Sequence, residues 1–204
     1  MIELVIFDMD GVLARLDRPR RLELLSEMTG REPAFLQARI WDSSFEPGAE
    51  VGAYATGEEY LAEWNRRTGC GLTRAQWVRA RRESMTPQPD ALAIADTIQR
   101  HCGIAMLTNN GPLLHEELEA IFPDAFRIFG GRANASFQFG ARKPDPVVYS
   151  RLLARYGVEP DCAVFSDDDA PYVAGARAAG LHGVDYRGAA ELRRRLAGFG
   201  VRFD

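Results

Sequence analysis

Five short runs rich in β-branched and aromatic residues recur along the chain: Ile2 to Phe7, Ile104 to Leu107, Phe126 to Phe129, Ala163 to Phe165 and Gly183 to Tyr186. Most are separated by helix-period segments. Strands that alternate with helices pair in parallel, because each crossover helix carries the chain back to start the next strand in the same direction. The expected fold class is therefore α/β with a parallel sheet. In open sheets of this type ligands bind in the crevice beyond the carboxyl ends of the strands, so the residues just after each run matter most. They are polar here: Asp8, Thr108 with Asn109, and Asp167 with Asp168.

Between the first and second runs lies a stretch too long for one crossover, residues 15–85, with helix signals and no convincing strand. Thr56 with Glu59, and Thr73 with Gln76, have the spacing of a capping box, in which side chains satisfy the unpaired N–H groups of a helix start. Gly30 and Gly69 read as helix stops, and Asp17 with Pro19 and Pro33 as two further starts, giving about four inserted helices. The division expected is a core of residues 1–14 and 86–204 carrying an all-α cap of residues 15–85. Trp41, Trp64 and Trp77 all fall in the insertion, where they would form its own small core and its seat on the main body.

At 204 residues and 46% hydrophobic content the chain can bury a real core. A formal net charge of −4 argues against a nucleic-acid partner, which would leave a basic footprint. The arginine clusters at 79–82 and 193–195 read as solvated helix faces. Cys70, Cys102 and Cys162 are odd in number and lack CxxC spacing, so neither a disulfide framework nor a zinc site is indicated. With no apolar run near the roughly 18 residues that cross a bilayer, and no signal-peptide pattern, the expectation is a cytoplasmic protein without a membrane partner.

An extended backbone past Phe7 would put Asp8 and Asp10 on one side with Met9 turned into the core, and Gly11 would then permit a tight turn. Two carboxylates this close in a partly desolvated site repel each other unless a cation sits between them, and a hard divalent ion, Mg²⁺ by default, resolves the repulsion. The other strand ends complete the requirements of phosphoryl transfer. Thr108 offers a hydroxyl. Lys143, the only lysine among 25 basic residues, sits between Arg142 and Pro144 on a segment stiffened by Pro144 and Pro146. Asp167, Asp168 and Asp169 follow a buried run. Asp169 is expected as the N-cap of the helix through Val173, and Asp167 and Asp168 as metal or supporting ligands.

The segments FDMDGVL, LTNN, RKPDPVVY and FSDDDAPYVAGARAAG resemble the four ordered motifs of the haloacid dehalogenase-like (HAD) hydrolase superfamily, and together they span nearly the whole chain. The insertion resembles the small helical cap of one HAD subfamily, and the length and RKP segment are similar to its sugar-phosphate phosphatases. The resemblance implies a Rossmann-like parallel sheet with helices on both faces. It further implies a Mg²⁺-dependent phosphatase acting on a small phosphorylated metabolite, as a monomer or homodimer. Asp8 would be the nucleophile that forms an aspartyl-phosphate, and Asp10 the general acid and then base. Thr108, Asn109 and Lys143 would bind the phosphoryl group. The metal would be held by Asp8, the backbone carbonyl of Asp10, and Asp168, with Asp167 supporting a metal-bound water.

Asp10 disfavours a dehalogenase, because the similar dehalogenases lack a carboxylate there: a halide leaves without a proton. The absence of any cap lysine removes the Schiff base of the phosphonatases; a sugar phosphomutase, which shares DxDGV, stays the alternative within the superfamily, although the cap lysine familiar from that group is missing here too. A non-catalytic phosphate-binding or protein-binding module would be expected to lose Asp8 or Asp10, and both are present. His101, His115 and His182 are scattered and read as structural or exposed. Specificity is expected to lie in the cap, with Arg15, Arg18, Trp41 and Phe45 as pocket residues.

Overall fold

The computed structural model describes residues 1–204. The chain opens with β1 (Leu4–Phe7) and β2 (Ala14–Leu16). Five helices follow: α1 (Arg18–Thr29), α2 (Pro33–Ile40), α3 (Phe45–Glu50), α4 (Gly57–Thr68) and α5 (Arg74–Glu83). After β3 (Met85–Pro87) and α6 (Pro89–Ile98) come β4 (Gly103–Thr108), then α7 (Pro112–Glu116), α8 (Leu118–Ile121) and α9 (Pro123–Phe129). The chain ends with β5 (Ala133–Ala135), α10 (Pro146–Tyr156), β6 (Ala163–Asp167), α11 (Ala170–Ala178), β7 (His182–Asp185) and α12 (Ala189–Gly198).

Five parallel strands in the order β5-β4-β1-β6-β7 make a Rossmann-like sheet. The central strand β1 shows what holds it together. Its side chains alternate between faces, so Val5 and Phe7 join one buried cluster while Leu4 and Ile6 join another. The first cluster runs through α6 and α9 into the inserted helices, reaching Leu24, Trp64 and Trp77. The second lies under α10 and α11, with Tyr149 and Phe165 packed edge to face.

Local signals set the inserted helices. Asp17 caps α1 by accepting from Arg20 N at 2.9 Å, and Gly30 ends it in the left-handed conformation at φ 68°. Thr73 and Gln76 form the complete reciprocal box at α5, and Gly69 closes α4. At α4 the box is altered: Thr56 accepts from Glu59 N, but Glu59 reaches back to Ala55 N. Trp64 and Trp77 are buried, as is Phe45, while Trp41 is half-buried.

Three expectations are corrected. The run Phe126 to Phe129 is not a strand. It is the end of α9, which buries Ala125, Ile128 and Phe129 at helical spacing and leaves Phe126 exposed; the strand beside β4 is β5, seven residues after Phe126. The insertion holds five helices, since α3 makes a short turn of its own around Phe45. It is also bracketed by strands: β2 and β3 pair antiparallel, so the chain leaves and re-enters the main body through a two-stranded ribbon. No helix is long and apolar enough to cross a membrane.

Candidate active site

The carboxyl ends of the three middle strands converge on one point. β1 delivers Asp8, β4 delivers Thr108, and β6 delivers Asp167 with Asp168 just beyond it. Carboxylate oxygens of Asp8, Asp167 and Asp168 all lie within 4.8 Å of one another. Lys143 enters from the loop ahead of α10, and its Nζ donates to Asp8 Oδ1 and Asp167 Oδ2, both at 2.6 Å. Those three side chains are almost wholly shielded from water.

Burial sets the electrostatics. It pushes the Asp8 carboxyl up to about 8; Lys143 pulls it back, and Asp167 adds to the rise. Asp168 is raised as well, by burial first and then by Asp167. Burial would lower the Lys143 ammonium, but Asp8 and Asp167 outweigh it and hold it well above the ordinary lysine range. One ammonium facing three carboxylates leaves the cluster short of positive charge. An all-oxygen donor set of this kind fits a hard divalent cation, which would relieve what raises Asp8 and Asp168.

Neighbouring groups hold this arrangement in place. Asn109 clamps the Lys143 backbone from both sides, donating to its carbonyl at 3.0 Å and accepting from its N–H at 2.9 Å, so the Asn109 amide is committed to positioning the lysine. Lys143 Nζ also lies 5.3 Å from the Phe165 ring centroid and 4.9 Å from that of Tyr172. Thr108 accepts from Asn110 Nδ2 at 2.7 Å, which leaves its own hydroxyl proton free for an incoming oxygen. Asp167 spends its second oxygen on Asp169 N at 2.9 Å. Asp169 occupies the N-cap position of α11 without making a side-chain capping bond.

Asp10 is placed differently from the other carboxylates. Both of its oxygens accept from Arg81 Nη2, at 2.8 and 2.6 Å. Arg81 belongs to α5 and its side chain is only 1% exposed, so the arginine cluster at 79–82 is not uniformly solvated: Arg79 and Arg82 face water and Arg81 does not. The signal was present, because Trp77, Ala80 and Arg81 share the buried face of α5 at spacings of three and four, and the buried C-cap residue Ser84 continues it. The cluster at 193–195 is exposed, as its composition suggests. Met9 is fully buried, as expected between two carboxylates that face the other way.

The inserted helices sit close over the strand ends. Arg142 and Glu50 pair at 2.5 Å, Ser136 donates to the Glu50 carbonyl at 2.7 Å, and Arg74 pairs with Glu116 and Glu117. A cleft lined by Gly11, Arg15, Thr86, Gln88 and Asp168 opens beside the carboxylates along the β2–β3 ribbon, which places Arg15 at the site. Phe45 packs instead in the insertion's interior against Tyr54 and Tyr60, and Arg18 lies over Trp41 at 5.8 Å.

A parallel α/β fold with a carboxylate and lysine centre at its strand ends defines a class, and comparison with known proteins names it. The family model for haloacid dehalogenase-like hydrolases matches residues 2–180, and the chain belongs to that family. It is 27% identical over 188 residues to Phosphatase MT3486 of Mycobacterium tuberculosis, covering 88% of this chain and 85% of that one. Among solved structures, a predicted HAD-like family hydrolase from Porphyromonas gingivalis superposes with TM-score 0.78 at 22% identity, covering 96% and 98% of the two chains. A mutant HAD family enzyme of Bacteroides thetaiotaomicron, solved with magnesium and inorganic phosphate, superposes with TM-score 0.79 at 17% identity, covering 95% and 100%.

Proposed function

We propose that the protein is a Mg²⁺-dependent phosphatase that hydrolyses a small phosphate monoester, with residues 15–85 acting as a cap over the site. The observation that carries this reading is the meeting of Asp8, Asp167 and Asp168 within 4.8 Å, with Lys143 bonded to two of them. The magnesium and phosphate complex of the Bacteroides enzyme and the name of the mycobacterial relative point the same way. Asp8, Asp168 and the Asp10 carbonyl would hold the ion, with Asp167 supporting a bound water. Mg²⁺ bound there would neutralise charge on the phosphoryl oxygens.

Asp8 attacks the phosphorus in line with the ester oxygen, the P–O bond breaks, and the departing alkoxide takes a proton from Asp10. Lys143 keeps the Asp8 carboxylate and the phosphate dianion from repelling each other, and Thr108 donates its free hydroxyl proton to a phosphoryl oxygen. Asp10, now a carboxylate, takes a proton from the water that opens the aspartyl-phosphate, releasing inorganic phosphate. Asn109 serves by fixing the Lys143 backbone. The test is release of phosphate from p-nitrophenyl phosphate: it should require Mg²⁺, stop with EDTA, and be lost in Asp8→Asn. Undiminished turnover by that variant rejects the mechanism.

A further inference from the structure

The insertion touches the main body at several places, and one of them borders the catalytic lysine. Arg74 pairs with Glu116 and Glu117, and Glu116 accepts from the Gly57 N–H at 2.7 Å, but those carboxylates belong to α7 and the turn after it, which carry no reacting group. The end of α3 is placed differently. Glu50 Oε2 accepts from Arg142 Nη1 at 2.5 Å, and Arg142 is the chain neighbour of Lys143. The Glu50 carbonyl accepts from the hydroxyl of Ser136, a fully buried residue, at 2.7 Å. Gly52 follows at φ 90°, where a Cβ would lie 3.0 Å from the Phe137 carbonyl oxygen.

Residues 50–52 thus press on the loop of residues 136–142, which leads into Lys143. The same loop reaches the other phosphate-facing residue: Phe137 N donates to the Asn110 carbonyl at 3.4 Å, and Asn110 Nδ2 donates to Thr108 Oγ1 at 2.7 Å. Asn109, Asp8 and Asp167 hold Lys143 from the strand ends, whereas Glu50 holds its neighbour from the insertion. The Glu50 side chain is 16% exposed, so its pair with Arg142 is only partly screened by water. Burial pushes the Glu50 carboxyl up to about 7; Arg142 pulls it back, Glu46 on the same helix adds to the rise, and Lys143 and Arg18 oppose it. The ion pair is therefore complete above neutrality and weakened below it.

Resting on the phosphatase reading, we infer that Glu50 is a positioning residue for the reaction: through Arg142 it fixes the loop that carries Lys143, so that seating of the cap and placement of the lysine are one event. Lifting the cap to exchange product for substrate then loosens the ammonium that screens Asp8. Arginine suits the task of carrying this contact, because its planar fork is held in one orientation by a carboxylate.

The test sets Glu50→Gln, which keeps the shape and mimics the protonated acid, against the unaltered full chain with saturating Mg²⁺ and p-nitrophenyl phosphate. At about pH 8 kcat of the variant should be lower by about three- to tenfold; at about pH 5.5, where Glu50 itself carries a proton, the two should agree within about twofold. Dividing one rate by the other cancels the groups common to both. Arg142→Met should lose a similar factor at about pH 8, and adding Glu50→Gln to it should cost nothing further, because the two act as one unit. A ratio that does not change with pH, or losses that multiply in the double variant, overturns the inference. A second measurement needs no turnover. Amide exchange at Lys143, whose N–H donates to Asn109 Oδ1 at 2.9 Å, should be about three- to tenfold faster in Glu50→Gln at about pH 8. Equal exchange overturns the coupling whether or not the ester is hydrolysed. Faster exchange in a protein that turns over no phosphate ester would instead defeat the phosphatase reading and keep the coupling.

Discussion

A methyl group placed on Gly11 would lie 2.2 Å from Oδ1 of Asp168. Gly11 also adopts φ 105°, in the region where a side chain is strained. The turn after the Asp8–Asp10 pair and the carboxylate from the far strand are thus pressed together, and the absence of a Cβ is what lets them approach. Gly11→Ala should displace Asp168. A misplacement of about 1 Å at a reacting centre can cost about 10²-fold, so kcat on p-nitrophenyl phosphate should fall on that order. The Mg²⁺ concentration for half-maximal activity should rise in the same assay. Unaltered Mg²⁺ dependence would mean that Asp168 takes no part in holding the ion.

Lys143 is the sole cation bonded to Asp8 and Asp167. Lys143→Met keeps the bulk and removes the charge, leaving two buried carboxylates facing each other. Breaking a buried pair in this way costs about 3–5 kcal/mol, which urea denaturation of the metal-free protein would read. Saturating Mg²⁺ should restore part of the loss, because it replaces the missing positive charge. Activity should not return with it, since the screening of nucleophile from phosphate is gone. A metal-free variant as stable as the parent would show that the lysine contributes nothing to the fold.

Burial raises Asp8 to about 8 from the ordinary 3.8. Between those values the metal-free native protein keeps a proton that the unfolded chain gives up, so its stability should fall as pH rises through that window. Lys143, also raised, acts with the same sign but only above the ordinary lysine range, outside the window. Mg²⁺ must displace the Asp8 proton. Its binding near pH 6.5 should therefore release about one proton, detectable by calorimetry in buffers of different ionisation enthalpy, with apparent affinity rising toward pH 8. Asp8→Asn should shrink both the proton release and the stability slope to what Asp168 and Glu50, which burial also raises, contribute.

The polar residues at the strand ends stood out in the sequence because a parallel sheet gives such positions one destination: Asp8, Asp167 and Asp168 do meet there, and Thr108 ends the neighbouring strand β4. Helix caps were legible for the same local reason: Asp17, Gly30, Gly69 and the Thr73–Gln76 pair announce chain ends by their own chemistry. What escaped depends on partners distant in the chain. β2 and β3 are three residues each and exist only because residues 14–16 meet 85–87. β5, of sequence Ala-Asn-Ala, carries almost no propensity. Its Asn134 is held by the Met106 carbonyl and the Tyr156 hydroxyl. Phe126 to Phe129 shows the limit of short apolar runs, where only the burial of Ile128 and Phe129 together, with Phe126 outside, separates helix from strand. Arg81 was hidden by its neighbours Arg79 and Arg82, and only the spacing from Trp77 gives it away.

The same substitution should have opposite effects at two helical glycines. Gly175, on α11, packs against the segment that carries Lys143, and a Cβ there would fall 2.1 Å from the Pro144 carbonyl oxygen. That neighbour is backbone and cannot turn aside. Gly175→Ala should push α11 from the loop, costing about 1–3 kcal/mol or more by overpacking. It should also lower kcat, by moving the ammonium that bridges Asp8 and Asp167. Gly198, in the last turn of α12, has nothing within 4 Å of where a Cβ would sit. Gly198→Ala should therefore gain about 0.5–1 kcal/mol from reduced freedom of the unfolded chain, with kcat unchanged. Thermal melts and p-nitrophenyl phosphate rates on the two variants check both signs together, and a neutral Gly175→Ala would show that the α11 contact does not fix the lysine.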